Sequence, residues 1–246
     1  MPISLPIGLP AATTLAAEGV VVVGDAALHS GGARPLRICL VNLMPKKTAT
    51  ETQICRLLGA TPIPVEVTLC VPDSYHFRGV PKHARVAKLS GIYRQRVSRA
   101  ESALLRGFCG EFPVPVSRYS EMRAGDLPAA VSVLAEAAET GLCLVEDRAN
   151  RATCMFNHLE YDTETLRDEF HRDRFAGKQP AIPANYFPDD DPTRPAANVW
   201  RPWGHLLFGN WLTEIARTAR AQSGGGDQRR SFISQHALPA QSRDYR

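Results

Sequence analysis

Apolar and polar positions change their period several times along this chain, and each change marks an element. Leu36-Arg37-Ile38-Cys39-Leu40-Val41-Asn42-Leu43 is short and densely apolar, which predicts a buried strand over 36–43. Met44-Pro45 ends it. From Thr48 to Leu58 the apolar positions Ile54, Leu57 and Leu58 fall on one face of a 3.6-residue period, so a helix is predicted, with Gly59 as its stop. Val65, Val67 and Leu69 then alternate through a second strand. Strand, helix and strand within about 35 residues make a βαβ unit, which requires a parallel sheet. The fold class that follows is α/β.

Elsewhere the pattern is less regular. Residues 1–34 predict an irregular arm with one short strand at Val20-Val21-Val22-Val23. Residues 70–91 carry Pro72, Gly79, Pro81 and Gly91 and give no periodic element beyond a turn of helix at 74–77. The segments GLCLVED and RATCMFN flank Arg148-Ala149-Asn150 and predict a β-hairpin over 141–157. Asp162 or Thr163 can cap a helix running to Phe175, with Leu166 and Phe170 four apart on its inner face. Residues 180–202 read as a proline-rich loop. Residues 205–216 read as a last helix offering Leu206, Trp211, Leu212 and Ile215 to the core. From Ser223 the run SGGGDQRRS predicts disorder, so a single domain is expected over 1–222 and a tail over 223–246. There is no internal repeat.

Composition narrows the function classes. The 246 residues are 44% hydrophobic and 22% charged, ordinary for a soluble globular protein, and enough for a real core. No apolar run approaches the roughly 20 residues that span a bilayer, and MPISLPIGLP has no basic start or cleavage site, so a cytoplasmic protein is expected. Six dispersed cysteines (39, 55, 70, 109, 143, 154) form no C-x-x-C pair, which predicts free thiols and no structural zinc. The net charge of +4 resides in the stretch from Arg217, where six arginines face two aspartates. The body is neutral and lacks a basic stripe with interleaved aromatics, so no nucleic-acid role is expected.

One cluster could carry chemistry. In Asn157-His158-Leu159-Glu160-Tyr161-Asp162, at a predicted strand end, alternation points His158 and Glu160 the same way. A carboxylate beside an imidazole fixes its tautomer and makes it a usable general base. A histidine at a strand end also serves as a hydrogen-bonded structural residue, and the residues alone leave both readings open. A zinc-deaminase reading of H-x-E would need a P-C-x-x-C partner, and there is none.

A resemblance adds to this. RPLRICLVNLMPKK, ETQICRLLGATPIPVEVTL, YHFRGVPKH, AKLSGIYRQRV, LLRGFCGEFPVPVSRYSEMR, FNHLEYDTETLRDEFHRDRFAG and NYFPDDDP followed by WRPWGHLLFGNWL occur in this order. Together they resemble the homoserine O-acetyl/succinyltransferases of methionine biosynthesis across nearly all of residues 1–216. The resemblance implies a flavodoxin-like parallel sheet with flanking helices, as in class I glutamine amidotransferases. It also implies acyl transfer from acetyl- or succinyl-coenzyme A, as co-substrate, to the hydroxyl of L-homoserine through a cysteine acyl-enzyme, with no resident cofactor or metal. By position, His158 matches the family's catalytic histidine and Glu160 the glutamate beside it. Arg172 matches the arginine that holds the amino acid, and Lys88 and Ser117 match two further substrate positions. Without the resemblance these three read as an exposed-face arginine, a solvated lysine and a turn serine.

The resemblance breaks at one place. In the family, further βα units separate the strand corresponding to 65–69 from YHFHGVPKH, and one carries the nucleophilic cysteine in a C-W-[GA] turn. Here YHFRGVPKH follows Leu69 after only Cys70 to Ser74. At roughly 30 residues per βα unit, two or three central units are missing. Cys70 is the one thiol near the lost position, but Pro72 and the short spacer leave too little room for a nucleophile elbow. WRPWG also has Pro202 and Trp203 where the family shows Ser and His. Three outcomes follow: an acyltransferase (acetyl donor favoured), a non-catalytic amino-acid-binding paralogue, or a decayed gene product. Exposed edges at the gap also predict a homo-oligomer that covers them.

Overall fold

The computed structural model describes residues 3–4, 10–17, 22–23, 35–41, 48–70 and 79–224. Its elements run β1 (Ile3–Ser4), α1 (Pro10–Ala17), β2 (Val22–Val23), β3 (Leu36–Val41), α2 (Thr48–Gly59) and β4 (Val65–Cys70). They continue with β5 (His83–Val97), β6 (Glu111–Glu121), β7 (Ser132–Ala137), β8 (Gly141–Asp147), β9 (Ala152–Met155), α3 (Thr165–Phe175) and α4 (Arg201–Gly224). The predicted βαβ unit is present: β3 and β4 pair in parallel from Leu36↔Val65 to Val41↔Cys70. Ile38, Val65 and Val67 turn into a core with Cys55, Leu57 and Leu58 of α2, while Arg37 and Glu66, neighbours across the pair, meet in an ion pair at 3.5 Å. The parallel sheet has the order β2-β1-β4-β3.

The amino-terminal arm is more structured than its pattern suggests. Besides two short parallel strands it forms α1, opened by Pro10 at the first helical position, where proline's missing N–H is no loss. Among the side chains described in α1, those of 13–17, Leu15 is the buried one, packed against Cys55, Leu57 and Leu58. A single buried leucine leaves no periodic signal to read. Of the predicted strand at 20–23, Val22–Val23 is observed, and the rest lies outside the described residues, as do the predicted turn at 74–77 and Asn42 and Leu43.

Of a second, antiparallel sheet of order β6-β5-β7-β8-β9, the pattern showed the β8–β9 hairpin and not the other three strands. Its first long strand corrects the irregular reading of residues up to 91, since His83–Val97 is continuous β structure. Much of β5 is polar, and its charges find ion-pair partners: Arg85 with Glu121, Arg94 with Glu111 and Arg96 with Glu136. β6 carries Pro113 and Pro115, which suit it only as the edge strand it is. Pro115 lies opposite Ile92, whose N–H and carbonyl bond Ala184 and Asn185 instead, so that pair needs no ladder donor from proline. At Gly91, φ is 147° and an added Cβ would collide with the backbone of Ala184.

The hairpin of β8 and β9 forms as expected, closed at Arg148–Asn150 by Asp147, whose carboxylate accepts from the Asn150 N–H. α3 forms too, but neither expected cap holds: Glu164 occupies the cap position without a side-chain bond, and Asp162 is engaged elsewhere. α4 starts four residues earlier than its apolar pattern, because the Asn198 side chain accepts from the Arg201 N–H and adds a first turn. It also continues through Ser223 and Gly224, the start of the predicted tail; residues 225–246 lie outside the described ones. α4 joins the two sheets, sending Leu207 into the core of the antiparallel one and Phe208 and Leu212 into that of the parallel one. Among the described residues, no helix is long and apolar enough to cross a membrane.

Candidate functional site

Beyond β9 the chain leaves the sheet. Phe156 N–H still bonds Cys143 O, and His158 N–H crosses to Pro115 O on β6 at 2.8 Å. A turn then closes, with Tyr161 N–H donating to His158 O at 3.3 Å. His158 and Glu160 therefore do meet, Nδ1 to Oε1 at 2.8 Å and both buried, but through this turn, not through strand alternation. The bond to Glu160 fits the tautomer with hydrogen on Nδ1, leaving Nε2 as the basic nitrogen.

Two helices, α2 and α4, and Trp200 just before α4 hold this segment. Gln53 and Arg56 of α2 and Arg201 of α4 converge on the Asp162 carboxylate, at 3.3, 2.6 and 2.8 Å. Burial alone would raise the Asp162 carboxyl, but the bonds from Arg56 and Arg201 prevail and hold it below the ordinary aspartate range. Trp200 Nε1 donates to Tyr161 O at 2.8 Å. Gly204 lets α4 touch the segment, since a Cβ there would stand 2.7 Å from Leu159 O.

Beside the pair lies a second polar cluster, centred on Glu169 of α3. It accepts from Ser117 Oγ, from Tyr161 Oη at 3.2 Å and from Lys88 Nζ at 3.2 Å. Lys88 also reaches Asp173 at 3.2 Å, and Asp173 receives Arg172 Nη2 at 3.2 Å and Lys178 Nζ at 3.3 Å. Burial opposes ionisation of Asp173, yet the bonds from Lys88, Arg172 and Lys178 bring its carboxyl below the ordinary value. Lys88 and Ser117, expected as substrate residues, are thus drawn together by Glu169. Arg172 stands at the rim, its side chain 56% exposed.

The pattern reading missed Glu169, Asp173 and Tyr161. A signal for the first two existed: Leu166, Glu169, Phe170 and Asp173 form the buried stripe of α3 at helical spacing. Two carboxylates on a buried stripe require a buried cation, and Lys88 supplies it.

Burial raises three of the four described thiols. Burial first, then Glu51, pushes Cys55 up to about 12. Burial likewise brings Cys143 to about 12 and, aided by Asp147, Cys154 to about 11. Cys109 is exposed, and the side chains of Cys39 and Cys70 lie outside the described residues. No group of three or more His, Cys, Asp or Glu side chains poised for a metal occurs among the described residues.

Compared with known proteins, the chain matches the family described as homoserine O-succinyltransferase over residues 2–76 and 72–220. Homoserine O-acetyltransferases of Brucella canis and Brucella suis are each 39% identical to it over 292 aligned positions, taking in 87% of this chain and 95% of each relative. Among solved structures, the glutaminase domain of Trypanosoma brucei CTPS is similar at a TM-score of 0.40 and 9% identity, over 88% of this chain and 93% of that one.

Proposed function

The chain belongs to the homoserine O-succinyltransferase family, and on that premise we propose that it keeps the base half of a homoserine O-acyltransferase site without the thiol that would carry the acyl group. The observation that carries this reading is the buried pair of His158 Nδ1 and Glu160 Oε1 at 2.8 Å. A histidine so held can take the proton of a substrate hydroxyl at Nε2, while Glu160 stabilises the imidazolium that results. Lys88, Ser117 and Arg172 are the residues proposed to bind the amino acid, L-homoserine. The acyl donor is acyl-coenzyme A, acetyl favoured over succinyl by the names of the relatives.

The absence of a nucleophile is part of the same proposal. Two features support it: the family match falls into two segments that meet at residues 72–76, and the alignment with the relatives is longer than the chain itself. A stretch of the relatives without a counterpart here, just after β4, would account for both. In a parallel α/β sheet, the carboxyl ends of the strands are where ligands bind. Without the elbow, the two-step acyl-enzyme route is closed, and each lost oxyanion donor lowers the rate by about 10²–10³.

The test is release of coenzyme A from acetyl- or succinyl-coenzyme A on addition of L-homoserine, followed with a thiol reagent. No release above background is expected, while calorimetric titration with L-homoserine should show binding that Arg172→Ala weakens. Turnover abolished by His158→Ala would overturn the non-catalytic reading. Lack of homoserine binding would overturn the amino-acid site.

A further inference from the structure

Tyr161 is buried between two groups that the proposed function keeps apart. Its ring stacks on the imidazole of His158, with centroids 4.1 Å apart and planes within 13°. Its hydroxyl donates to Glu169 Oε1 at 3.2 Å, and the other oxygen of Glu169 receives Ser117 and Lys88. Only 1% of Tyr161 is exposed, so neither contact has room to be casual. Its backbone is fixed as well, with N–H on His158 O and carbonyl on Trp200.

We propose that Tyr161 is a positioning residue that sets the plane of the His158 imidazole and transmits to it the state of Glu169. A single bond to Glu160 leaves an imidazole free to swing about the Nδ1–O axis, which would turn Nε2 off any target. A ring packed face to face at 4.1 Å removes that swing. The phenol can do this only while it is itself anchored, and Glu169 is the anchor. Burial, followed by Glu169 and Glu160, pushes the Tyr161 phenol up, so it stays a proton donor to Glu169. The charged and titratable groups around this unit are Glu160 beside His158, Glu169 and Asp173 from α3, and Lys88 from β5. When Lys88 or Ser117 is drawn from Glu169 to a bound ligand, the carboxylate gains freedom, and the phenol and the imidazole plane gain it with them.

This inference rests on the reading of His158 as the base, but its test uses no activity. The probe is the Nδ1–H proton of His158 in the full chain, followed by ¹H–¹⁵N NMR and assigned by its loss in His158→Gln. Tyr161→Leu removes the stack, and the exchange of that proton with water should rise about tenfold, the scale of a buried aromatic pair. Tyr161→Phe keeps the stack and loses only the bond to Glu169, so a smaller rise, about threefold, is expected. Exchange in Tyr161→Phe equal to wild type would overturn the link to Glu169. Exchange in folded Tyr161→Leu equal to wild type would overturn the positioning role. Should Tyr161→Leu fail to fold, Glu169→Gln, which weakens the anchor, must reproduce the rise seen in Tyr161→Phe, and its failure to do so overturns the proposal. A purely structural role would lower the melting temperature and leave these rates unchanged. Thiol release is silent on all of these rates, so failure here and failure of the proposed function are distinguishable.

Discussion

Replacing Lys88 by methionine keeps the length of its stem and removes one positive charge from between two buried carboxylates. The Lys88 side chain is 13% exposed, that of Glu169 7% and that of Asp173 3%, so solvent does little to compensate. Removing one member of a buried ion pair typically costs about 3–5 kcal/mol. Arg172 and Lys178 still reach Asp173, though both are more than half exposed, which places the expected loss near the lower end, about 3 kcal/mol. In a chain of this size that corresponds to about 6–12 °C in melting temperature.

The pH dependence has a definite sign. The folded Asp173 carboxyl lies below its ordinary 3.8, so its contribution is present above that pH and is lost as pH falls through the folded value. In Lys88→Met the main cation holding it down is gone, so the deficit against wild type should be full at pH 7 and shrink only as pH falls below 3.8, toward pH 3. Urea unfolding at both pH values measures this, and Lys88→Met with Glu169→Gln, which removes charge from both sides, should recover more than half of the loss. A deficit below about 1 kcal/mol at pH 7, or one that grows on acidification, would refute the reasoning.

Three further outcomes are expected. Gly204→Ala, which by helix propensity should gain about 1 kcal/mol, should instead lower the melting temperature, because the new Cβ meets Leu159 O at 2.7 Å; thermal unfolding reads the sign. Asp162→Asn should lose about 1–2 kcal/mol at pH 7, discounted because the carboxylate is 37% exposed; the loss should fade below the ordinary aspartate value of 3.8, since the folded carboxyl lies lower, as urea unfolding against pH would show. Iodoacetamide at pH 8 should alkylate exposed Cys109 and leave Cys55, Cys143 and Cys154 unmodified until denaturant is added, because burial keeps those three protonated; peptide mass mapping distinguishes them.

What could be read from the sequence follows from where the chain's energetics are local. β3, α2 and β4 form one continuous unit, an apolar run, a helical face and an alternating strand in turn, so their patterns survive in the sequence. β5 and β6 have no such signature. Their polar residues are satisfied by partners far along the chain, and two prolines sit where only knowledge of the sheet edge makes them acceptable. At the site, the short separation of His158 and Glu160 made the pair visible, although a turn brings them together and a strand does not. Glu169 was hidden because its partners, Ser117 and Lys88, lie 52 and 81 positions away. Tyr161 was hidden because an aromatic residue at a strand end reads as core.

Survival of the base without the acyl carrier is open to intact-mass spectrometry. The purified chain is incubated at neutral pH with acetyl-coenzyme A and, separately, with succinyl-coenzyme A. An unchanged mass is expected in both. A single acyl adduct abolished by Cys70→Ser would contradict it and make Cys70 the nucleophile, while an adduct that survives Cys70→Ser and disappears with another cysteine variant would place the acyl carrier elsewhere in the chain.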